Sequence, residues 1–323
     1  MPDAAGLTEY LLNAKYLSRI EGLHDWFISL QKRIEQLHGT ANRVSIEQLF
    51  DYAAFDCELW HMRQQECRAA GDTPESRAKR MESWLSWLEF YLPGVVIDAQ
   101  HAADPAALSA FVRHFRRGDT VVTFNYDTVL ERALAADGRR WFHGFATEAP
   151  ADITILKLHG SVDWWRSPPD ARGDRKLLFG EGDRECISRA KDLASARRLC
   201  ERHENLVLAT RDTPWPGITA LGVRKPLHRL PGASVVWHNA MRALKLADEV
   251  YVIGWSASLY DTMARFHFAS VLRAREKDPP RVVNVDPAAC RPEFQTRMKA
   301  VFGDVAFRHD CVQDANWELF ARV

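Results

Sequence analysis

The sequence predicts an α/β protein with a parallel sheet, preceded by a largely helical region. Apolar residues recur at three- and four-residue spacing through the first 118 residues. After residue 119, short β-branched runs alternate with helical patterns, which is typical of a parallel sheet with helices on both faces. Polar residues follow several of these runs directly. Because ligands of such sheets bind beyond the carboxyl ends of the strands, these polar positions are candidate site residues.

The composition indicates a globular protein with material for a sizeable core. The 323 residues contain 43 Lys plus Arg and 43 Asp plus Glu, so no net charge favours binding to nucleic acid or an anionic membrane. No apolar stretch reaches the roughly 20 residues that span a bilayer, and the start lacks the pattern of a secretory signal. The six cysteines form no C-x-x-C pair. We therefore expect a cytoplasmic protein with free thiols and no metal site.

Residues 1–118 are predicted to form a helical region that inserts into or caps the domain that follows. Leu23, Trp26, Phe27 and Leu30 have the spacing of one amphipathic helix face. Ser45 stands three residues before Gln48, which is a capping-box arrangement for a second helix. Further helical patterns cover 74–92 and 104–117, and Gly118 stands where the last of them would end.

Residues 119–323 are predicted to form the α/β core. The patterns predict strands within 119–125, 153–160, 249–256, 281–286 and 304–310, and helices within 128–136, 233–248 and 259–275, with a short terminal helix. A Pro- and Gly-rich stretch at about 164–232 is predicted to be a loop-rich insertion that holds a charged helix and a strand at 205–210. We find no internal repeat.

Two polar clusters at strand ends can be interpreted either as functional sites or as structural features of the strand ends. Asn125 and Asp127 follow the strand that begins at 119, and both are good N-cap residues for the helix behind them. His159 precedes Gly160 at the end of the next strand and could be a turn histidine or a general base. The paired Trp164 and Trp165, and Trp255, suit a core or a pocket wall.

Four stretches together resemble one family. "TFNYDTVLE", "LKLHGSVDWW", "VIGWSASLYD" and "VVNVDP" occur in the order and approximate spacing of sirtuin-like proteins, and are most similar to bacterial sirtuin-like domains associated with antiphage NAD depletion. The resemblance covers roughly residues 119–310 in pieces. It implies a Rossmann-like core that takes NAD as its substrate.

The resemblance also implies roles for individual residues. Asn125 and His159 match the family's catalytic pair: the Asn holds the nicotinamide ribose or the attacking water, and the His is the general base. Gly254, Ser256 and Asn284 match positions that approach the adenosine ribose and phosphates. The remaining candidates for cofactor binding are Phe124, Asp127, Gly160 and Asp286. For Ser256, Asn284 and Asp286, starting a helix or ending a strand remains an equal alternative.

Two departures from the family pattern bear on function. Sirtuin deacylases carry a four-cysteine zinc module after the His-Gly turn, whereas the corresponding segment here has only Cys186 and Cys200. The family also begins with a strand and a Gly-Ala-Gly-x-Ser loop that cradles the pyrophosphate, and this sequence shows no such loop. Because "MPDAAGLTEYLL" resembles the segment after that loop, we hypothesise that Met1 is an internal methionine or that the loop has been lost.

The sequence thus predicts an NAD glycohydrolase that cleaves NAD to nicotinamide and ADP-ribose, within a prokaryotic antiphage system. The expected partners are NAD and either a second copy of the chain or a defence-system protein. A non-catalytic module that senses NAD or ADP-ribose is the alternative, and the absence of the glycine loop favours it. Protein deacylation is a weaker alternative.

Overall fold

The chain divides into two compact units that are discontinuous in sequence. The first consists of Met1–Ala103 and His159–Pro231, and the second of Asp104–Leu158 and Gly232–Val323. The computed structural model describes residues 8, 9, 11, 22–38, 44–63, 92, 95, 96, 99, 100, 104–144, 153–166, 177, 178, 215–218, 232–258, 261–311 and 315. The sequence-based division at residue 118 stays a prediction.

Two amphipathic helices of the first unit confirm the predicted patterns. Helix α1 spans Leu23–His38 and buries one face, and α2 spans Ile46–Arg63. The buried side chains of α1 are Leu23, Trp26, Phe27, Leu30 and Ile34. Asp56 of α2 joins the helices, because it accepts hydrogen bonds from the Trp26 indole (3.1 Å) and from the Arg33 guanidinium (2.8 and 3.1 Å). The two helices therefore pack as a pair.

The predicted capping box at the start of α2 is present. The amide of Gln48 donates to Ser45 Oγ at 3.2 Å, and the amide of Ser45 donates to Gln48 Oε1 at 2.9 Å. Each side chain thus satisfies a backbone donor that the helix cannot pair internally.

We expect Ser45→Ala to lower the free energy of unfolding by about 1 kcal/mol, because it removes one reciprocal bond of this box. Urea unfolding followed by circular dichroism measures the change. Ser45→Asp retains an oxygen acceptor at the cap, so it serves as the control and should stay close to wild type. An alanine variant as stable as the aspartate variant would contradict the capping role.

The first unit also contains a small antiparallel sheet. Strand β4 (Gly160–Arg166) pairs antiparallel with β5 (Leu177–Leu178) on one side and with β6 (Trp215–Ile218) on the other. Trp164 and Val162 of β4 are buried. Thus the segment that follows the His-Gly turn continues as a strand, which the sequence patterns do not indicate.

The second unit is built of alternating strands and helices. Its strands are β1 (Asp119–Thr123), β2 (Trp141–His143), β3 (Ile153–Lys157), β7 (Glu249–Ile253), β8 (Arg281–Val285) and β9 (Ala306–Arg308). Its helices are α3 (Ser109–Val112), α4 (Val129–Ala136), α5 (Ala233–Leu246), α6 (Thr262–Arg273) and α7 (Pro292–Phe302), and a 3₁₀ turn at Pro105–Leu108 precedes α3. None of the helices within the described ranges is long and apolar enough to cross a membrane.

The strands of this unit form two three-stranded parallel sheets. The strand orders are β1-β3-β2 and β7-β8-β9, and each pair is parallel. The central strands β3 and β8 are almost entirely buried. Parallel strands joined by helical crossovers define the α/β class, so the predicted fold class is confirmed.

Some sequence-based predictions require correction, and others fall on residues that are not described. The helix predicted over 104–117 is confined to the 3₁₀ turn and the four residues of α3. Neither β2 nor α7 is predicted from the sequence patterns. The predicted strand 205–210, the charged helix before it and most of 74–92 lie outside the described residues.

Candidate functional site

The turn from β1 to α4 separates the two polar residues that the sequence singles out. Asp127 is buried, and its Oδ1 accepts a hydrogen bond from the amide of Val129 at 3.0 Å, the first residue of α4. Asn125 is exposed, and its amide donates to Thr123 Oγ1 at 3.1 Å. Asp127 therefore has the capping role, and the carboxamide of Asn125 stays accessible at the carboxyl end of β1.

The carboxyl ends of β1 and β3 lie level with each other. Thr123 and Lys157 are partners in the parallel register, and the amide of Leu158 donates to the carbonyl of Thr123 at 3.0 Å. The indole of Trp237 in α5 donates to the carbonyl of Leu158 at 3.0 Å and fixes the turn further. The edge that carries Asn125 is thus held by β3, whose end is in turn held by α5.

His159 follows Leu158 in the chain and begins the second segment of the first unit. Its side chain is buried. Gly160 has φ +87°, a left-handed conformation that favours glycine, so backbone geometry alone accounts for a glycine at this position. The hypothesis that Asn125 and His159 act on one sugar stays a prediction.

A buried ion pair underlies the Asn125 turn. Lys157 Nζ lies 2.8 Å from Glu131 Oε1, and both side chains are 1% exposed. Lys157 Nζ also donates to the backbone carbonyl of Asp127. Burying two charges costs several kcal/mol per ion before their attraction offsets it, so such a pair is costly as a purely structural element. Sequence reasoning missed both residues, because a lysine at the end of a strand is usually solvent-exposed.

The loop after β7 carries two of the predicted binding residues. Gly254 has φ +63°, and its amide donates to the carbonyl of Val285 at 3.2 Å. A Cβ atom at Gly254 would meet nothing within 4 Å, so the backbone conformation rather than crowding favours glycine. Ser256 is exposed, and its carbonyl accepts from Arg297 Nε at 3.3 Å. Since α6 begins at Thr262, Ser256 does not start that helix.

At the end of β8, the two predicted residues make local contacts. Asn284 is fully buried, and its Nδ2 donates to the carbonyl of Val252 at 3.2 Å. Within the described ranges, Asn284 Oδ1 has no hydrogen-bond partner. Asp286 is buried, and its Oδ1 accepts from the amide of Ala288 at 2.7 Å, which stabilises the turn before α7. Both residues support the strand end, and their role in cofactor binding stays a prediction.

An aromatic cluster joins the carboxyl ends of β1 and β7. Phe124 stacks on Trp255 with 5.2 Å between ring centroids and 15° between planes. Phe268 and Phe302 pack against Trp255 at 5.6 and 5.9 Å, edge to face. The Trp255 indole donates to Asp261 Oδ2 at 2.9 Å. The outer strands of the two parallel sheets therefore meet at their carboxyl ends through side chains.

The carboxyl ends of β1 and β7 are a candidate place for a ligand. β1 and β7 are edge strands of their sheets, in the orders β1-β3-β2 and β7-β8-β9, and ligands of open α/β sheets bind beyond the carboxyl ends of the strands. Phe124, Asn125, Gly254 and Ser256 lie on the two loops at this point. Asp127 lies on the first of these loops as well, so five of the predicted site residues lie on the loops that follow β1 and β7.

The described residues contain no group of three or more His, Cys, Asp or Glu side chains placed to hold a metal ion. The polar groups at the ends of β1 and β7 are instead an amide, a hydroxyl and backbone groups. Such groups donate and accept hydrogen bonds without titrating, which suits the binding of sugar hydroxyls and phosphates.

A family comparison covers the part of the chain that holds both catalytic candidates. Residues 119–208 match the model of the SIR2-like domain. This is the family that the four sequence motifs predict, so the sirtuin-like resemblance is confirmed. No curated protein matches the chain. The SIR2-like segment indicates NAD-related activity, and it includes β1, the Asn125 turn, β3 and the His-Gly turn.

Proposed function

We propose that the protein is a cytoplasmic NAD glycohydrolase that releases nicotinamide and ADP-ribose in prokaryotic antiphage defence. The observation that carries the proposal is the exposed carboxamide of Asn125, at the carboxyl end of β1 and inside the SIR2-like segment. A residue serving only the fold would be expected to bond its neighbours, as Asp127 does. Asn125 is left available for a ligand.

The residue types suit cleavage of the bond between nicotinamide and ribose. That reaction expels a neutral leaving group and passes through an oxocarbenium-like sugar, as glycoside hydrolysis does. Asn125 would hold a ribose hydroxyl or the attacking water, since a carboxamide both donates and accepts. His159 would take a proton from the hydroxyl or water, a contribution of typically about 10²- to 10⁴-fold.

The remaining predicted residues would bind the rest of NAD. Gly254 and Ser256 present backbone and hydroxyl groups at the carboxyl end of β7, and Phe124 presents an aromatic ring at the carboxyl end of β1. Asn284, Asp286, Asp127 and Gly160 would contribute by shaping the strand ends that these groups stand on. NAD is the substrate in this proposal, and no metal takes part.

A sensing module that binds NAD or ADP-ribose without turnover is the second candidate. It is favoured by the engagement of Asn284 and Asp286 in protein contacts. Fewer groups are then left to orient the pyrophosphate. In this version a second copy of the chain or a defence partner would read the bound state.

Incubation of the purified full chain with NAD distinguishes the candidates. We expect nicotinamide and ADP-ribose to appear in equal amounts by liquid chromatography, with heat-treated protein as the control. Titration calorimetry with NAD and ADP-ribose accompanies the assay. Binding without nicotinamide release would support the sensor, and absence of both would contradict both candidates.

A further inference from the structure

The Lys157–Glu131 pair contacts the turn that carries Asn125. Lys157 is the last residue of β3, and Glu131 lies in the first turn of α4. Both side chains are 1% exposed, with 2.8 Å between Nζ and Oε1. The ammonium group also donates to the carbonyl of Asp127, two residues after Asn125. One buried cation thus connects the end of β3, the helix α4 and the turn between β1 and α4.

Packing alone does not explain two buried charges at this place. Replacing a buried ion pair by apolar residues of similar volume is often neutral or stabilising, whereas removing one partner leaves an uncompensated charge. What an apolar pair cannot supply is direction, because an ammonium group donates along defined axes to two acceptors at once. Here the ammonium group donates a hydrogen bond to a backbone carbonyl of the turn, and the carboxylate of Glu131 supplies the opposite charge.

The turn is fixed at three points along its length. Asn125 is held through its amide by Thr123 Oγ1, and Val129 is held through its amide by Asp127 Oδ1. Lys157 Nζ donates a hydrogen bond to the carbonyl of Asp127. Of these three contacts, only the one from Lys157 comes from another strand. It therefore fixes the position of the turn relative to the carboxyl end of β3.

We propose that Lys157 and Glu131 are positioning residues that hold the Asn125 turn in its ligand-binding geometry. This inference rests on the proposed function in so far as Asn125 is the residue that contacts NAD. Glu131 neutralises the buried charge of the ammonium group and keeps it at this place, and Lys157 fixes the carbonyl of Asp127. Loss of the pair should loosen residues 124–128 while the strands and helices of the unit remain folded.

The double variant Lys157→Met/Glu131→Met separates positioning from stability. We expect its urea midpoint to stay near that of wild type, while amide hydrogen exchange of a peptide covering 124–128 becomes at least tenfold faster. Exchange in α5 (Ala233–Leu246) is the internal control and should not change. We also expect NAD affinity, measured by calorimetry, to fall about tenfold. Unchanged exchange at 124–128 in the folded double variant would overturn the proposal.

One further variant keeps the test decisive. Glu131→Gln retains an acceptor for Lys157 and an equal volume, so its exchange at 124–128 should lie between wild type and the double variant. If the double variant does not fold, this variant alone decides, and wild-type exchange in it overturns the proposal. Because exchange is measured without nucleotide, faster exchange supports the positioning role even if the wild-type chain neither binds nor hydrolyses NAD.

Discussion

Asn125→Ala is expected to lower the rate of nicotinamide release by about 10²- to 10³-fold, the typical cost of removing one preorganised polar group at a reacting centre. Stability should change by no more than about 0.5 kcal/mol, because the side chain is exposed and the helix behind it is capped by Asp127. Nicotinamide is quantified by chromatography under saturating NAD, and urea unfolding is followed by circular dichroism.

Asn239→Ala is the matched control for Asn125→Ala. Asn239 is another asparagine of the second unit, and its Nδ2 donates to the carbonyl of Gly144 at 2.8 Å. Its replacement should lower the free energy of unfolding by about 1 kcal/mol and leave nicotinamide release within threefold of wild type. We thus expect Asn125→Ala to lose activity but not stability, and Asn239→Ala to lose stability but not activity. If nicotinamide release by Asn125→Ala stays within threefold of wild type, Asn125 has no catalytic role.

The central strands could be predicted from the sequence because they are buried on both faces. Buried parallel strands are continuous β-branched runs, and "ITIL" and "RVVNV" correspond to β3 and β8. The three-residue strand β2 (Trp141–His143) has no such run, and it exists because β3 offers a partner. Pairing across the chain is a long-range effect that local patterns do not record.

The sequence patterns place the candidate residues at strand ends, but they do not show which of these side chains bond to the protein and which face solvent. Asn125 and Asp127 are equally good caps by residue type, and only the path of the turn decides that Asp127 caps α4 and Asn125 faces solvent. The sequence likewise does not show that Asn284 is buried and Ser256 is exposed. Asn284 is buried because it lies in the central strand β8, whereas the loop after β7 leaves Ser256 exposed.

Lys157 shows why buried polar contacts escape sequence reasoning. A lysine at the end of a strand is usually solvent-exposed, and composition gives no sign that Glu131 lies close enough to pair with it. The pair becomes visible only in the structure, which brings Glu131 of α4 to the end of β3. For Lys157 and Glu131, the sequence does not show which side chains the tertiary structure brings together.

Trp255→Ala is expected to lower the free energy of unfolding by about 3 kcal/mol, near the lower end for loss of a large packed aromatic because Trp255 is half-buried. The change removes the stack on Phe124, two edge contacts with Phe268 and Phe302, and a hydrogen bond to Asp261. Since the stack joins the carboxyl ends of β1 and β7, NAD affinity should fall as well. Urea unfolding and calorimetry measure the two effects.

Two controls show whether the effect belongs to the cluster. Trp255→Phe keeps an aromatic ring beside Phe124 and loses the indole donor to Asp261, so it should cost only about 1 kcal/mol. Phe266→Ala removes an aromatic ring that is 68% exposed on α6, and it should change stability by no more than about 0.5 kcal/mol. A Trp255→Ala protein that is as stable as Phe266→Ala would show that the aromatic contacts do not hold β1 and β7 together. If instead stability falls while NAD affinity is retained, Trp255 belongs to the core and not to the wall of the crevice.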